Sequence, residues 1–304
     1  MAKGFEVMSD TALRPASTSA KRTTQTGPLG QARLQAPRLL LHGVLLLGAL
    51  LMVFPFYWML TTSVKGALES KEFPPTLIPH EIVFSNFAAA WNMAPFARYF
   101  LNSAIMAGAQ VVLVLVTSTL AAYAFARFDF TGKRLLFMGL LATMMVPFEV
   151  TLVPNFIILK TLGWYNSYLA LTVPFGASAF AIFLLRQFFL SIPRDLSDAA
   201  QIDGAGEFGF FWHVALPLSR PALLTIGLLT FVAAWNSLLW PLMMTSSEDM
   251  RVVQVGLSAF QSEAGPRIDL LMAASTLSLL PVGVLYFFAQ RYFVDGISRS
   301  GITG

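Results

Sequence analysis

The residues best suited to chemistry form one charged segment between two long apolar runs. The stretch Asp198–Ala205 reads Asp-Ala-Ala-Gln-Ile-Asp-Gly-Ala, and nine residues separate Gly204 from the later stretch Val214–Pro217, which reads Val-Ala-Leu-Pro. The carboxylates can make polar contacts with a partner, and the small side chains let another surface approach closely. This combination is typical of docking rather than of catalysis.

The segment 191–217 is predicted to be a short, bent helix that docks in a cleft of a soluble partner. Pro193 suits a first helical position because its missing N–H is not needed there. Asp195 and Asp198 are expected in the first turn, where the helix dipole favours anions. Gly204 can adopt a positive φ and divide the helix into two arms. Phe208, Phe211 and Trp212 are expected to make the second arm amphipathic, so that this arm lies along the rest of the chain.

Glu149 is the one carboxylate in the apolar run 135–159, with Pro147 and Pro154 on either side. Ionisable groups in such runs are costly and usually face the protein interior or water. Glu149 is therefore a candidate lining group of a translocation path. The alternative is a structural carboxyl that is hydrogen-bonded to a neighbouring helix.

Asn236 raises the same question in the apolar run 221–244. It lies between Trp235 and Trp240, and an aromatic ring beside an amide suits stacking on a sugar ring. Asn236 is therefore a second candidate for the path. The alternative is that the two tryptophans are there because tryptophan is enriched at membrane interfaces.

Catalytic chemistry has little support in the sequence. There is no cysteine, and the three histidines are scattered (His42, His80 and His213). An intramembrane enzyme would need a nucleophile and base, a metal site or two carboxylates at depth. No G-x-x-x-x-G-K-[ST] phosphate loop is present, because Arg134 follows Gly132-Lys133. We expect no metal site and no ATPase site in this chain.

The elements that must position these residues are membrane helices. Hydrophobic residues make up 56% of the chain and charged residues 12%, about half the charged share of soluble domains. A bilayer core needs roughly 20 apolar residues per helix. Six runs qualify: 39–60, 101–126, 135–159, 168–189, 221–244 and 270–290. An all-α, polytopic fold with six transmembrane helices is predicted, and the segment 191–217 lies between spans four and five.

The distribution of positive charge predicts that both termini are cytoplasmic. With six spans and the N-terminus inside, 14 of the 20 Lys and Arg residues fall on the inner side. The net charge of +4 reflects this bias rather than nucleic-acid binding. The external loops are then 61–98, with an interfacial helix at Phe84–Trp91, and 245–269. Residues 1–37 are rich in Ser, Thr, Ala and Gln and are predicted to be a disordered cytoplasmic tail before the domain 38–304.

The charged segment resembles the "EAA" coupling motif, E-A-A-x-x-D-G-A followed by I-x-L-P, of bacterial ATP-binding-cassette (ABC) importer permeases. Asp198 stands where the family usually has Glu. Further matches to the carbohydrate branch of that family, the MalG-like permeases, cover residues 39–304: Leu101-Asn102-Ser103, Pro147–Pro154, Ala234-Trp235-Asn236 and Gln290–Gly296. The resemblance implies the type I importer fold and a place in the bacterial inner membrane.

What the resemblance implies about function is an importer of several subunits. A second, MalF-like permease would complete the path, and two ATPase subunits, which bind ATP and Mg, would dock on the coupling segments. An external binding protein would deliver a di- or oligosaccharide. The residues carried over to ATPase coupling are Asp198, Ala199, Ala200, Asp203, Gly204, Ala205, Leu216 and Pro217.

Other substrates and other classes of protein stay open at this point. A glycerol-phosphate or polyol permease of the same family is the main alternative. An ion-coupled secondary transporter would usually show repeated halves and more intramembrane polar groups. A membrane receptor or scaffold has no signature of its own in this sequence.

Overall fold

The computed structural model describes residues 28–260 and 267–300, and within these ranges the regular structure is helical throughout. The α-helices are α1 Pro28–Ser63, α2 Ser85–Asn92, α3 Phe96–Arg127, α4 Lys133–Thr143, α5 Phe148–Thr161, α6 Tyr168–Thr172, α7 Ala179–Ser191, α8 Arg194–Ile202, α9 Glu207–Phe210, α10 Leu216–Leu218, α11 Arg220–Trp235, α12 Leu239–Met244, α13 Val253–Leu257 and α14 Ile268–Ser300. Short 3₁₀ turns lie at Glu69–Lys71, Val173–Phe175, Glu248–Met250 and Ser258–Phe260, and a π-helical turn at Phe211–Ala215.

The chain divides into two units, Met1–Pro55 and Phe56–Gly304. The described part of the first unit belongs to α1, which begins at Pro28. This start lies inside the predicted tail 1–37, so the prediction of disorder is wrong for residues 28–37. Their Gln, Ala, Leu and Arg content favours a helix. The rest of the predicted tail lies outside the described residues.

Three helices are long and apolar enough to cross a membrane without a break: Leu40–Ser63, Phe96–Arg127 and Ile268–Phe288. Three bent helix pairs also qualify, with bends of 98°, 41° and 70°: Lys133–Thr143 with Phe148–Thr161, Tyr168–Phe175 with Ala179–Ser191, and Glu207–Leu218 with Arg220–Trp235. The described part of the chain therefore has up to six candidate spans. The sequence predicts transmembrane helices over 135–159, 168–189 and 221–244, and each of these ranges contains a break.

Proline accounts for the largest bend. Pro147 has no N–H and its ring clashes with the carbonyl four residues earlier, which belongs to Thr143. Helix α4 ends at Thr143, Pro147 is extended with ψ 138°, and α5 begins at Phe148. Pro154 lies within α5 instead of ending it. The break in this predicted span therefore lies just before Glu149.

Helix α3 is the centre of the second unit. It packs most extensively against α7 and α11, and it contributes to three buried clusters. The first cluster contains its Tyr123, the second its Tyr99 and the third its Met106. Where α11 meets α3, a Cβ at Gly227 would lie in ordinary van der Waals contact, 3.7 Å from the side chains of Val111 and Leu115.

Polar side chains along α3 bond to backbone groups where other elements bend or begin. Near its start, Asn102 donates to the carbonyls of Asp249 and Arg251, each at 2.7 Å, and accepts from Tyr168 Oη at 2.6 Å. The Ser103 hydroxyl accepts from Val253 N–H at 2.9 Å.

Further along α3, Gln110 donates to Leu171 O and Thr117 to Gly176 O, both at 2.7 Å, and Ser118 accepts from Ser178 N–H at 3.4 Å. Each partner lies in or beside a short or broken helix.

The two buried tryptophans have related roles. A regular helix would pair Ala170 O with the N–H of residue 174, but Pro174 has none. The indole of Trp240 donates to Ala170 O instead, at 2.9 Å. The indole of Trp235 donates at 3.0 Å to Ser278 O of α14. Both rings are at most 2% exposed.

The loop between α1 and α2 is folded on itself. Buried Lys65 donates to Thr76 O, and Asn86 of α2 donates to Lys65 O at 2.8 Å. The Glu69 carboxylate accepts from the Thr76 hydroxyl and from His80 N–H, both at 2.9 Å. Desolvation acts to raise the pKa of Glu69, and these hydrogen bonds lower it; the net pKa lies below its usual value. The interfacial helix expected at Phe84–Trp91 is α2, Ser85–Asn92.

We expect Asn102→Ala to lower the thermal unfolding midpoint of the purified protein. The substitution leaves two backbone carbonyls and the Tyr168 hydroxyl without their partner, which costs about 1–3 kcal/mol. Asn92→Ala, at the exposed end of α2, is the matched control and should leave the midpoint unchanged. Equal midpoints for Asn102→Ala and the control would contradict the role given to Asn102.

Candidate functional site

The segment 191–217 begins with helix α8 and turns at Gly204. Pro193 caps α8 with ψ 140°, one residue before the helical position expected for it. Gly204 has φ 82°, as the sequence predicts. Gly204 N–H bonds to Gln201 O at 3.0 Å and Ala205 N–H to Ala200 O at 2.8 Å, which is the Schellman arrangement at a helix end. Because this arrangement needs a left-handed residue, the bend depends on Gly204.

The second arm is held by the end of α3. Tyr123 donates to the Glu207 carboxylate at 3.0 Å, and its ring centroid lies 4.7 Å from that of Phe211. Arg127, one turn later, lies over the ring of Phe210 at 4.9 Å. Tyr123 and Arg127 are not among the residues that the coupling motif singles out. The sequence feature that could have revealed them is a tyrosine and an arginine four residues apart at the end of an apolar run, since helix positions four apart share a face.

The opposite face of the segment is exposed. Ile202 is 86%, Phe208 74% and Trp212 57% exposed, and the rings of Phe208 and Trp212 stack with centroids 6.4 Å apart. Helix positions four apart share a face, so Phe208 and Trp212 point away while Phe211 and Ala215 are buried. The second arm is therefore amphipathic, as the sequence predicts, with Phe211 in the core cluster and Phe208 and Trp212 on the exposed face.

The residues of the coupling motif fall into two groups. Asp198, Ala199, Asp203 and Gly204 are exposed. The half-buried group sits on the packed side and comprises Ala200, Ala205, Leu216 and Pro217. The expectation that Asp198 lies in the first turn is wrong, because α8 begins at Arg194 and only Asp195 among its acidic residues is in that turn. The outer face therefore combines carboxylates, one small residue and apolar side chains.

Glu149 lies in the first turn of α5 and is exposed within this chain. Among the described residues, no hydrogen bond or ion pair joins its carboxylate to another side chain or backbone group. The structural alternative, a carboxyl bonded to a neighbouring helix of this chain, therefore has no partner within the ranges 28–260 and 267–300. The preceding Phe148 packs on Trp240 with ring centroids 5.9 Å apart, which brings the start of α5 beside α12.

Asn236 caps the end of α11, just before the break that precedes α12. Its amide donates to Val232 O at 2.9 Å, and its oxygen accepts from Gln254 at 3.4 Å. Asn236 is exposed, but Trp235 and Trp240 are buried. The idea that these indoles stack on a sugar is wrong, since both rings are inside the core with their N–H groups bonded to carbonyls.

Comparison with known proteins identifies the family. The sequence profile of "Binding-protein-dependent transport system inner membrane component" matches residues 115–299. The chain is 37% identical over 267 residues to the sn-glycerol-3-phosphate transport system permease protein UgpE of Yersinia enterocolitica, covering 85% of this chain and 95% of that protein. It is 34% identical over 259 residues to the arabinooligosaccharides transport system permease protein AraQ of Bacillus subtilis, covering 84% and 92%.

A solved structure has the same fold. One chain of a bacterial ABC transporter involved in the import of the acidic polysaccharide alginate superposes with a TM-score of 0.76 at 25% identity, covering 86% of this chain and 98% of that one. The chain therefore belongs to the family of binding-protein-dependent transport system inner membrane components. It is the multi-pass permease component of an ABC importer.

Substitution of Gly204 should impair docking of the ATPase while the chain still folds and inserts. Gly204→Pro cannot adopt φ 82° and loses the N–H that bonds Gln201 O. Gly204→Ala has open space around its Cβ and bears only the left-handed strain of about 1 kcal/mol. We expect ATPase co-purification to fall strongly for Gly204→Pro and moderately for Gly204→Ala.

The matched control is Gly206→Ala. Gly206 has φ −72°, which any residue adopts, and open space where a Cβ would lie. This variant should co-purify with the ATPase as the unmodified chain does. Wild-type co-purification by Gly204→Pro would contradict the dependence of docking on the bend.

Proposed function

We propose that this chain forms half of the translocation path of an importer for a di- or oligosaccharide and docks a separate ATPase through the segment 191–217. A second, MalF-like permease completes the path, and two ATPase subunits bind ATP and Mg. An external binding protein delivers the solute. The observation that carries the proposal is the exposed outer face of the bent segment, which is fixed to the core on its other side.

The arrangement of the segment suits the transmission of force. Its packed side is joined to α3 through Tyr123 and Glu207, so the segment and the membrane helices move together. Its outer side offers the carboxylates of Asp198 and Asp203 beside apolar Ile202, Phe208 and Trp212. An apolar patch with a charged rim is the usual composition of a protein interface. ATP-driven movement of the docked subunit would then reorient the cavity in the membrane.

Glu149 and Asn236 are the proposed lining groups of the path. Both side chains are exposed within this chain, and both lie where helices break. Polar groups at broken helices are typical of transport sites at membrane depth. The assignment now rests on the carboxylate and the amide alone, since the neighbouring indoles are buried.

The substrate class has one alternative within the family. AraQ is named for arabinooligosaccharides, the solved transporter for alginate, and UgpE for sn-glycerol 3-phosphate. Two of these three solutes are oligomeric sugars, which favours a di- or oligosaccharide. A glycerol-phosphate or polyol importer is the alternative.

The proposed topology has six spans, with both termini and the segment 191–217 in the cytoplasm and the fifth span beginning after that segment, at α11. Single cysteines at Arg134 and Asp198 should react with an impermeant thiol reagent only after permeabilisation. Cysteines at Glu72 and Glu263 should react on intact cells; Glu263 lies outside the described residues. The natural chain has no cysteine, so every signal reports the introduced residue. Labelling at position 198 on intact cells would overturn this topology.

Uptake by proteoliposomes tests the function. Vesicles that contain the full complex should accumulate a labelled oligosaccharide only with internal ATP and with the binding protein outside. Uptake that needs an ion gradient instead of ATP would support a secondary transporter, and uptake of glycerol phosphate in place of sugar would support the alternative substrate.

The same vesicles test the role of Glu149. Glu149→Gln keeps the shape of the side chain but removes its charge, so we expect assembly to persist while the rate or the solute preference changes. Glu72→Gln, in the exposed loop before α2, is the matched control. Unchanged transport of every solute by Glu149→Gln would remove this residue from the path.

A further inference from the structure

A pocket with a marked excess of positive charge lies at the turn between α3 and α4. Its volume is about 720 Å³. The polar side carries three cationic side chains, Lys133, Arg134 and Arg186, and one carboxylate, Asp129. Leu135, Phe137 and Met138 form the apolar side. The pocket therefore presents charge and hydrocarbon side by side.

Arg186 is held in place but has no carboxylate partner among the described residues. Its Nε donates to Phe125 O at 3.1 Å, and its guanidinium lies 4.4 Å from the ring centroid of Phe137. Arg186 belongs to α7, a helix of the bilayer, where an unpaired charge is costly. The guanidinium N–H groups that Phe125 does not use remain for an anion.

Charge at the start of α4 has the wrong sign for a helix N-terminus. Lys133 and Arg134 lie in the first turn, and that turn has no acidic residue, although the dipole favours anions there. Asp129 lies 3.2 Å from Lys133, but its side chain is fully exposed. Asp129 therefore balances the charge of Lys133 alone among the three cationic side chains, and the pocket keeps a net positive charge.

We propose that this pocket binds the phosphate headgroup of one anionic phospholipid. The phosphate would accept hydrogen bonds from Arg186 and Arg134, a geometry that guanidinium groups favour. The acyl chains would follow α4, whose Leu135 and Leu136 are 71% and 59% exposed. Basic pockets between membrane helices are known to select anionic lipid headgroups. A free anion would satisfy the charges but would leave this apolar side uncovered, which is why we favour a lipid.

Native mass spectrometry of the full-length chain, purified with the subunits that accompany it, tests this site. We expect retained phosphatidylglycerol on the unmodified complex. The double variant Arg134→Gln/Arg186→Gln should weaken its retention by roughly tenfold or more, since each cation near the surface contributes about 1 kcal/mol. Arg134→Gln alone, at an exposed position, should give part of this loss without affecting the fold. Arg220→Gln, also exposed, is the control and should retain the lipid.

The choice of probes separates the possible sources of phosphate. Phosphatidylcholine and inorganic phosphate should each fail to replace phosphatidylglycerol or to raise the unfolding midpoint of the delipidated complex. Equal stabilisation by inorganic phosphate would identify a free-anion site and overturn the lipid assignment. Equal retention of phosphatidylglycerol by the double variant and the control would show that the contact is nonspecific and would also overturn it.

Discussion

The rest of this structure depends on the need to bond backbone groups wherever a helix breaks inside an apolar environment. Lipid offers no hydrogen bonds, so each freed carbonyl or N–H needs a partner within the protein. Helix α3 supplies many of these partners. Gln110 bonds Leu171 O, Thr117 bonds Gly176 O and Asn102 bonds two carbonyls of the loop before α13. The unbroken helix therefore makes the broken ones possible.

The same helix contacts the loop before α13 at its start and the segment 191–217 at its end. At its start, Asn102 and Ser103 fix the loop that leads into α13. At its end, Tyr123 and Arg127 hold the second arm of the segment 191–217. A helix from Phe96 to Arg127 has 32 residues and spans about 48 Å at about 1.5 Å per residue. A movement of the docking segment would thus act on the membrane helices through a rigid element.

The charged groups near the end of α3 serve different purposes according to what lies next to them. Arg127, the last residue of α3, packs on Phe210 of the segment 191–217. Arg186 bonds the Phe125 carbonyl and faces the pocket at the start of α4. Their sequence contexts are similar, an arginine near the end of an apolar run, so only the neighbouring residues distinguish the arginine that packs on Phe210 from the one that faces the pocket.

The sequence by itself determined the class of fold, the family and the bend at Gly204. Long apolar runs can be buried only in a bilayer. The left-handed turn at the end of α8 requires a glycine, and the sequence places Gly204 there. It did not determine that Trp235 and Trp240 are buried, that Phe208 and Trp212 point outwards, or that Tyr123 holds Glu207. Those outcomes depend on which carbonyls the prolines free and on which helix lies opposite. Contacts between residues far apart in the chain decide these outcomes, and such contacts cannot be predicted from the local pattern of residue types.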